Sequence, residues 1–334
     1  MFCSFEQNSS YVTSPFWGSG QKVFLSVAEQ LDQQLDIKKS FLPHYTSSIR
    51  KILSNLIFAR RQKGDVYHVT GDVHYVVLGL PLKRVVLTIH DCVYLHQYSG
   101  IKKWFFHSLF LKWPVRYSKA ITTISEQSKR EIIQFTNCPE AKIRVINNPV
   151  TTAIYFRGKE FNKGKPVLLF LGSTPNKNLP RSIEAIKNIS CKLHVIGIIP
   201  EEQEKMLSEY RIDYSKSVGL TEDQLAQAYA ECDILLFPTL YEGFGLPILE
   251  GQTAGRPVLT SNQSPMKEVA GKGACLVNPT DVQSIRNGLK RIIEDEVYRS
   301  QIVQKGFENV RRFEPGPIAA QYLALYQEVI NGLS

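Results

Sequence analysis

Two features that would settle the class of this 334-residue sequence early are missing from it: a charge-free apolar run of about 18 residues, and a pair of cysteines at C-x-x-C spacing. Without the first, no membrane-spanning helix is expected. Without the second, the six scattered cysteines (Cys3, Cys92, Cys138, Cys191, Cys232, Cys275) argue against a zinc ribbon, a redox dithiol or a dense disulfide framework, and suit a reducing compartment. Internal repeats and low-complexity tracts are absent too. The opening MFCSFEQNSS has neither a basic n-region nor a continuous apolar stretch, so a cytoplasmic location is expected rather than secretion. What is present is ordinary: 43% hydrophobic and 21% charged residues mark a soluble globular chain. At roughly 100 to 200 residues per domain the length predicts two domains.

The net charge of +9 is unevenly placed. Residues 1–150 carry 19 Lys and Arg against 10 Asp and Glu, whereas 151–334 carry 21 of each, so the whole excess lies in the first half. Six of the seven histidines are there as well. Two domains with different partners are expected, the first facing an anionic lipid surface, a phosphorylated acceptor or nucleic acid, unless the bias is a solvated surface with no partner. Residues 101–119 (IKKWFFHSLFLKWPVRYSK) interleave five basic residues with six aromatics, which suits an anionic membrane interface reached from the inner face. Their apolar positions fall on nearly all sides, and Pro114 interrupts the helix, so a core helix with snorkelling lysines is the competing reading. Nucleic acid is disfavoured because no DNA- or RNA-binding module accompanies the charge.

Along the chain, short β-branched runs alternate with helix-spaced segments. Strands are predicted at 65–69, 85–90, 120–124 and 143–146, then at 167–171, 193–196, 234–237 and 258–260. Turn formers between Asn147 and Pro166 predict a linker, giving an N-terminal domain 1–150 and a C-terminal domain 165–315. Strands separated by 10- to 15-residue helices predict α/β architecture with doubly wound parallel sheets in both domains. Ligands in such sheets bind at the carboxyl ends of the strands.

The segment Pro238-Thr-Leu-Tyr-Glu242-Gly243-Phe244-Gly245-Leu246-Pro247-Ile-Leu-Glu250 follows a predicted strand directly. Pro247 suits the first turn of a helix, and Gly243 and Gly245 allow close backbone approach, so exposed amides at a helix N-terminus form an anion site. Glu250, about one turn in, is placed to accept hydrogen bonds from sugar hydroxyls, and Glu242 lies in the loop itself. For an isolated E-G-x-G the alternative is a plain strand-to-helix turn with an acid against the dipole. After another strand, Gly172-Ser173-Thr-Pro-Asn-Lys177-Asn178 sets a lysine at a second carboxyl edge, where it can serve phosphate as a point charge.

These segments, with Val218-Gly-Leu-Thr-Glu-Asp-Gln-Leu225, Ala230-Glu-Cys-Asp-Ile-Leu-Leu-Phe-Pro238, Gly255-Arg-Pro-Val258 and Glu268-Val-Ala-Gly271, follow one another as in family 4 glycosyltransferases of GT-B fold. The sequence resembles that family over about residues 165–330. More weakly, Thr88-Ile-His90-Asp91, Thr123-Ile-Ser-Glu-Gln-Ser-Lys129 and Val145-Ile-Asn-Asn-Pro149 resemble its acceptor-side domain. The resemblance implies two Rossmann-like domains facing across a cleft, with a C-terminal helix in 316–334 packing back on the first. It further implies metal-independent, retaining transfer from a UDP-, GDP- or ADP-linked sugar to a glycan or lipid-linked glycan in cell-surface polysaccharide assembly. No cofactor beyond that donor is implied.

Carried over residue by residue, Glu250 matches the carboxylate on the donor ribose, Glu242 the one beside the transferred sugar, and Lys177 the diphosphate lysine. Gly243, Phe244, Gly245 and Leu246 match the loop whose amides hold sugar and phosphate, and His90 a histidine facing the sugar, so Glu242, His90 and Lys177 are the expected catalytic residues. Gly172, Ser173, Asn178 and Val218 complete the donor side. Gly18, Gly20, His68 and Asp91 are the expected acceptor-side positions. Two departures stand out: Ser173 occupies a place where many members have arginine, leaving Lys177 to act with Asn178 and backbone amides, and MFCSFEQNSS is a poor strand ahead of the loop Ser14–Gly20. Three rivals follow from the same residues: an epimerase or phosphorylase of this fold, a non-catalytic nucleotide-sugar or glycan binder, and a dinucleotide oxidoreductase. The last is disfavoured because no strand is followed by G-x-G-x-x-G.

Overall fold

The computed structural model describes residues 2–5, 19–32, 34–44, 48–92, 100, 104, 107–150 and 154–332. The chain divides into two compact units, one formed by residues 1–149 with 314–334 and the other by 150–313. Each is built on a six-stranded sheet.

Unit 1 contains β1 (Phe2–Phe5), β2 (Ile37–Ser40), β3 (Tyr67–Val69), β4 (Val85–Ile89), β5 (Ala120–Thr123) and β6 (Ile143–Val145), in the order β2-β1-β3-β4-β5-β6. β3 to β6 are parallel, and all five residues of β4 are buried, as expected of a strand covered on both faces. The edge departs from the all-parallel expectation: β1 runs antiparallel to both β2 and β3. The opening segment is therefore a strand after all, although its FCSF pattern gives no clean alternation. The crossover helix Glu126–Thr136 is capped by the Ser125 hydroxyl, which accepts from the Ser128 amide, and ends at Asn137 in the left-handed region. The C-terminal helix Pro315–Asn331 belongs to this unit and packs along the helix Ser19–Leu31, burying Tyr322 and Tyr326.

Unit 2 contains β7 (Val167–Leu171), β8 (Lys192–Ile196), β9 (Asp213–Ser217), β10 (Ile234–Phe237), β11 (Val258–Ser261) and β12 (Cys275–Val277), ordered β12-β11-β10-β7-β8-β9 and parallel throughout. β9 and β12 escape the sequence reading because one is an edge strand of polar sequence (DYSKS) and the other has only three residues. Chain order reverses between β7 and β10, so two successive crossovers leave this junction on opposite faces of the sheet. The helix Glu222–Glu231 that feeds β10 starts with a reciprocal capping box between Thr221 and Gln224.

The stretch expected to be a linker is held firmly by unit 2. The buried carboxylate of Asp233 accepts from Lys159 Nζ at 2.5 Å, the Asn162 amide at 3.1 Å and the Val167 amide at 2.8 Å, while its own amide donates to the Val167 carbonyl at 2.8 Å. The buried guanidinium of Arg256 adds a donation to the Arg157 carbonyl at 2.6 Å and one to the Tyr229 carbonyl at 3.0 Å. Residues 157–167 are thereby strapped across the amino ends of β7 and β10. Replacing Asp233 strands two backbone amides and an ammonium. Asp233→Ala is expected to lower unfolding stability by about 3 kcal/mol, read as a lower urea midpoint at unchanged slope.

Candidate donor site

The loops at the carboxyl ends of β7 and β10 meet at the junction where strand order reverses, the place where ligands bind in open α/β sheets. From the β7 side, Pro175–Lys177 forms a single 3-10 turn whose closing residue, Asn178, takes φ 68°. From the β10 side, residues 238–245 lead to the helix Leu246–Thr253. Hydrogen bonds stitch the two loops together. The Leu240 amide donates to the Asn176 carbonyl at 2.7 Å, and the Asn176 side-chain amide donates to the Tyr241 carbonyl at 2.9 Å. The buried Thr239 hydroxyl lies 2.8 Å from the Asn176 carbonyl and 2.9 Å from Glu242 Oε1, with one proton to share between them.

Within this frame Lys177 Nζ donates to Glu242 Oε1 at 2.7 Å, both side chains being mostly but not fully covered. The ammonium also lies 5.1 Å from the centre of the Phe237 ring. Gly172 makes room for the lysine: a β-carbon there would lie 3.1 Å from Lys177 Cγ and Cε, and its φ of 81° disfavours any larger residue. Gly245, at φ 105°, is the N-cap of the Leu246–Thr253 helix, with no side chain capping it. Among the described residues, no carbonyl or side chain accepts from the amides of Gly243, Phe244 or Gly245. An uncapped helix N-terminus, three amides without an acceptor and one ammonium thus lie in the two loops at this junction, groups of the kind that bind a diphosphate.

Glu250 sits one turn into that helix. Its Oε2 accepts from the fully buried Tyr229 hydroxyl at 2.6 Å. Burial pushes the Glu250 carboxyl above its ordinary value of 4.5, against the opposing pull of the Tyr229 hydrogen bond. Burial, and then the nearby Glu250 charge, hold the Tyr229 phenol well above its usual range, so it stays a donor.

Two family models match consecutive parts of the chain: "Glycosyltransferase Family 4" over residues 30–154 and "Glycosyl transferases group 1" over residues 152–309. The chain belongs to glycosyltransferase family 4. Among curated relatives, the serotype-specific mannosyltransferase WbdA of Escherichia coli is 30% identical over 255 residues, which are 66% of this chain but only 30% of that protein. The chain thus spans less than a third of the first relatives it matches. The O-antigen chain mannosyltransferase B of Escherichia coli is 25% identical over 305 residues, 80% of this chain and 75% of the relative. Among solved structures, Anabaena Alr3699/HepE in complex with UDP and glucose shares the fold at a TM-score of 0.74 and 15% identity, covering 96% of this chain and 98% of that one.

In this family 4 chain the structure gathers Lys177, Glu242, Gly243, Gly245, Leu246, Gly172 and Ser173 at one sheet edge, with Glu250 behind them. Phe244 contributes only its backbone, since its ring is buried edge-on to Phe313 at 5.9 Å between centroids. Val218 follows β9 and is 61% exposed, and Ile198, which the sequence reading passed over, is 71% exposed after β8. Gly197 lies against Gly172 and Ser173, which puts the start of the Ile198 loop beside the turn that carries Lys177. Thr239, Asn176 and Tyr229 were also missed. They touch Glu242, Glu250 or the loops around them, yet nothing in their spacing distinguishes them from ordinary turn and helix residues.

Two expected roles need correction. Asn178 is buried, its amide donating to the Pro238 carbonyl at 2.9 Å and the Pro279 carbonyl at 2.6 Å, and its oxygen accepting from Arg181 at 3.0 Å. It braces the loops and has no donor left for a phosphate. His68 is buried in unit 1, with Nδ1 2.7 Å from the Tyr326 hydroxyl and Nε2 2.7 Å from the Thr88 hydroxyl. Burial takes its pKa down to about 3, so it is a neutral core histidine and not an acceptor contact. His74 is buried likewise, its Nδ1–H donating to the Phe110 carbonyl at 2.7 Å. His90, at the carboxyl end of β4, remains half-buried, with Nε2–H donating to the Thr70 carbonyl at 3.1 Å, and Asp91 follows it. Gly20 lies in the first turn of Ser19–Leu31, and Gly18 falls outside the described residues. Among the described residues no cluster of His, Cys, Asp and Glu could hold a metal ion.

The Glu250 carboxyl binds its proton more tightly folded than unfolded. Its presence therefore costs stability as pH rises from 4.5 through the raised value, and that cost is fully present above it. Glu250→Gln, which keeps an oxygen for Tyr229, is expected to melt above the wild type at pH 7.5. The gap should close as pH falls toward 4.5, measured by scanning calorimetry without ligand.

Proposed function

We propose that the chain is a retaining glycosyltransferase, moving a hexose-type sugar from a nucleoside-diphosphate donor to a glycan or lipid-linked glycan in envelope polysaccharide assembly. The observation that carries it is the Lys177–Glu242 pair at the strand-order reversal, beside the unclaimed amides of Gly243 to Gly245. Curated relatives bear mannosyltransferase names and one solved neighbour holds UDP and glucose, so a mannosyl donor comes first among those to test.

In the proposed reaction the bond from the sugar's anomeric carbon to the diphosphate oxygen breaks through an oxocarbenium-like state. Negative charge grows on the leaving diphosphate, where Lys177 and the loop amides lower its energy without the proton a poorer leaving group requires. The acceptor hydroxyl attacks from the face the diphosphate leaves, and its proton passes to the departing phosphate oxygen. Glu242 and Glu250 then act as orienting acceptors for sugar and ribose hydroxyls, unlike the acid and nucleophile pair of a hydrolase. His90 and Asp91 would serve the unit 1 side, and no metal is invoked.

With UDP, GDP, ADP and NAD offered at millimolar concentration, one nucleoside diphosphate alone is expected to raise the melting temperature. Saturation at about 100 times the dissociation constant corresponds to about 2.7 kcal/mol. Lys177→Ala should weaken that nucleotide about tenfold to a hundredfold while leaving the ligand-free melting point nearly unchanged. A shift with NAD only, or with none of the four, would sink the donor-site reading. Anomeric analysis of the transfer product by NMR tests retention separately: an inverted product overturns the same-face step alone.

A further inference from the structure

Tyr229 has no part in the proposed reaction, yet among the described residues it is the one side chain that donates to Glu250. It lies near the end of the helix Glu222–Glu231 and is one of the largest fully buried side chains in the molecule. For packing alone a phenylalanine ring would serve. A hydroxyl taken out of water costs free energy unless it finds an acceptor, and the acceptor here is Glu250 Oε2 at 2.6 Å.

The main chain of Tyr229 is fixed as firmly as its hydroxyl. Its carbonyl accepts from the buried guanidinium of Arg256 at 3.0 Å and from Cys232 Sγ at 3.4 Å, while Arg256 also donates to the Arg157 carbonyl at 2.6 Å. The phenol is therefore tied to the strap at the amino ends of β7 and β10. The carboxylate that it holds belongs to the helix Leu246–Thr253, which begins after the opposite end of β10.

Glu250 has one oxygen taken by Tyr229, whereas Oε1 has no partner among the described residues, and the residue keeps part of its surface open. To receive hydroxyl groups such a carboxylate has to point one way and has to be charged. Burial works against the charge, and the Tyr229 hydrogen bond works for it. Burial also keeps the proton on the phenol, so Tyr229 does not become a second anion beside the first. A neutral donor thus orients the carboxylate without cancelling its charge, as a lysine or arginine in the same place would.

We infer that Tyr229 is a positioning residue: it holds the Glu250 carboxylate ready to accept, and so sets how strongly the site distinguishes a ribose with its 2′ and 3′ hydroxyls from one without them. This rests on the donor reading of Glu250 proposed above and adds the residue through which that carboxylate acts.

The test is calorimetric titration of UDP, GDP and ADP, and of their 2′,3′-dideoxy counterparts, into the full chain and its Tyr229→Phe variant, which keeps the ring and loses only the hydroxyl. For the base that the wild type accepts, the ribose form is expected to bind about tenfold more tightly than the dideoxy form at pH 7.5. In Tyr229→Phe the ribose form should weaken and the dideoxy form should not, so the preference falls to about twofold. The second readout is pH. Affinity for the ribose form falls as pH drops through the range in which Glu250 takes up a proton. In Tyr229→Phe that fall should begin about one pH unit higher, the ionisation of the ligand being common to both proteins. A merely structural tyrosine would lower the melting temperature and weaken both forms alike, with the pH profile unmoved; equal weakening or an unmoved profile overturns the inference and leaves the donor reading standing. A wild type that binds ribose and dideoxy forms equally overturns it together with the role given to Glu250. A wild type that binds none of the three nucleotides removes the donor reading itself, and this inference with it.

Discussion

The parallel pairing of β7 with β10 is the constraint on which the site of unit 2 depends. These strands are separated by β8 and β9 in sequence yet lie side by side, with Ile234 opposite Leu168 and Leu235 opposite Leu169. Parallel strands end at the same edge, so the turns that follow them emerge together. Lys177 and Glu242 are 65 residues apart and meet at 2.7 Å for that reason alone. Asp233 fixes the other end of the same pair by closing the strap of residues 157–167 over the strand starts. A charge pair at one end and a buried carboxylate clamp at the other thus bracket two strands whose middles are purely apolar.

The loops at the carboxyl edge owe their shape to side chains that hydrogen-bond from one loop to the other. Asn178 in the left-handed conformation, Asn176 and Thr239 tie the two turns to each other, so the ammonium and the amides are held in place before any ligand arrives. Groups fixed in advance need little reorganisation when charge develops, which is where electrostatic stabilisation gains most. The cost appears at Glu250, a carboxylate whose ionisation is opposed by its own burial.

Much of this was legible in the sequence, for physical reasons that also explain the omissions. Buried parallel strands such as Val167–Leu171 and Ile234–Phe237 announce themselves as apolar runs, and the turns after them carry glycine, proline and charge because backbone must approach a ligand there. Family likeness then supplied roles that spacing alone could not. Edge strands were missed because β9 is polar and β1 lacks alternation. Asn178 and His68 were misjudged because a polar side chain spent on internal carbonyls or hydroxyls looks, in one dimension, the same as one offered to a ligand.

The return of the helix Pro315–Asn331 to unit 1 bears on how the molecule is made. Tyr326 completes the hydrogen bonding of His68, and Tyr322 that of Thr88 and Thr122, inside a sheet whose strands precede it by some two hundred residues. Unit 2 is continuous and can close as soon as residue 313 has left the ribosome. Unit 1, begun first, waits with one nitrogen of the buried His68 unpartnered until Tyr326 is synthesised. The order of completion is therefore the reverse of the order of translation, and the amino-terminal sheet is the part most dependent on protection in the nascent chain.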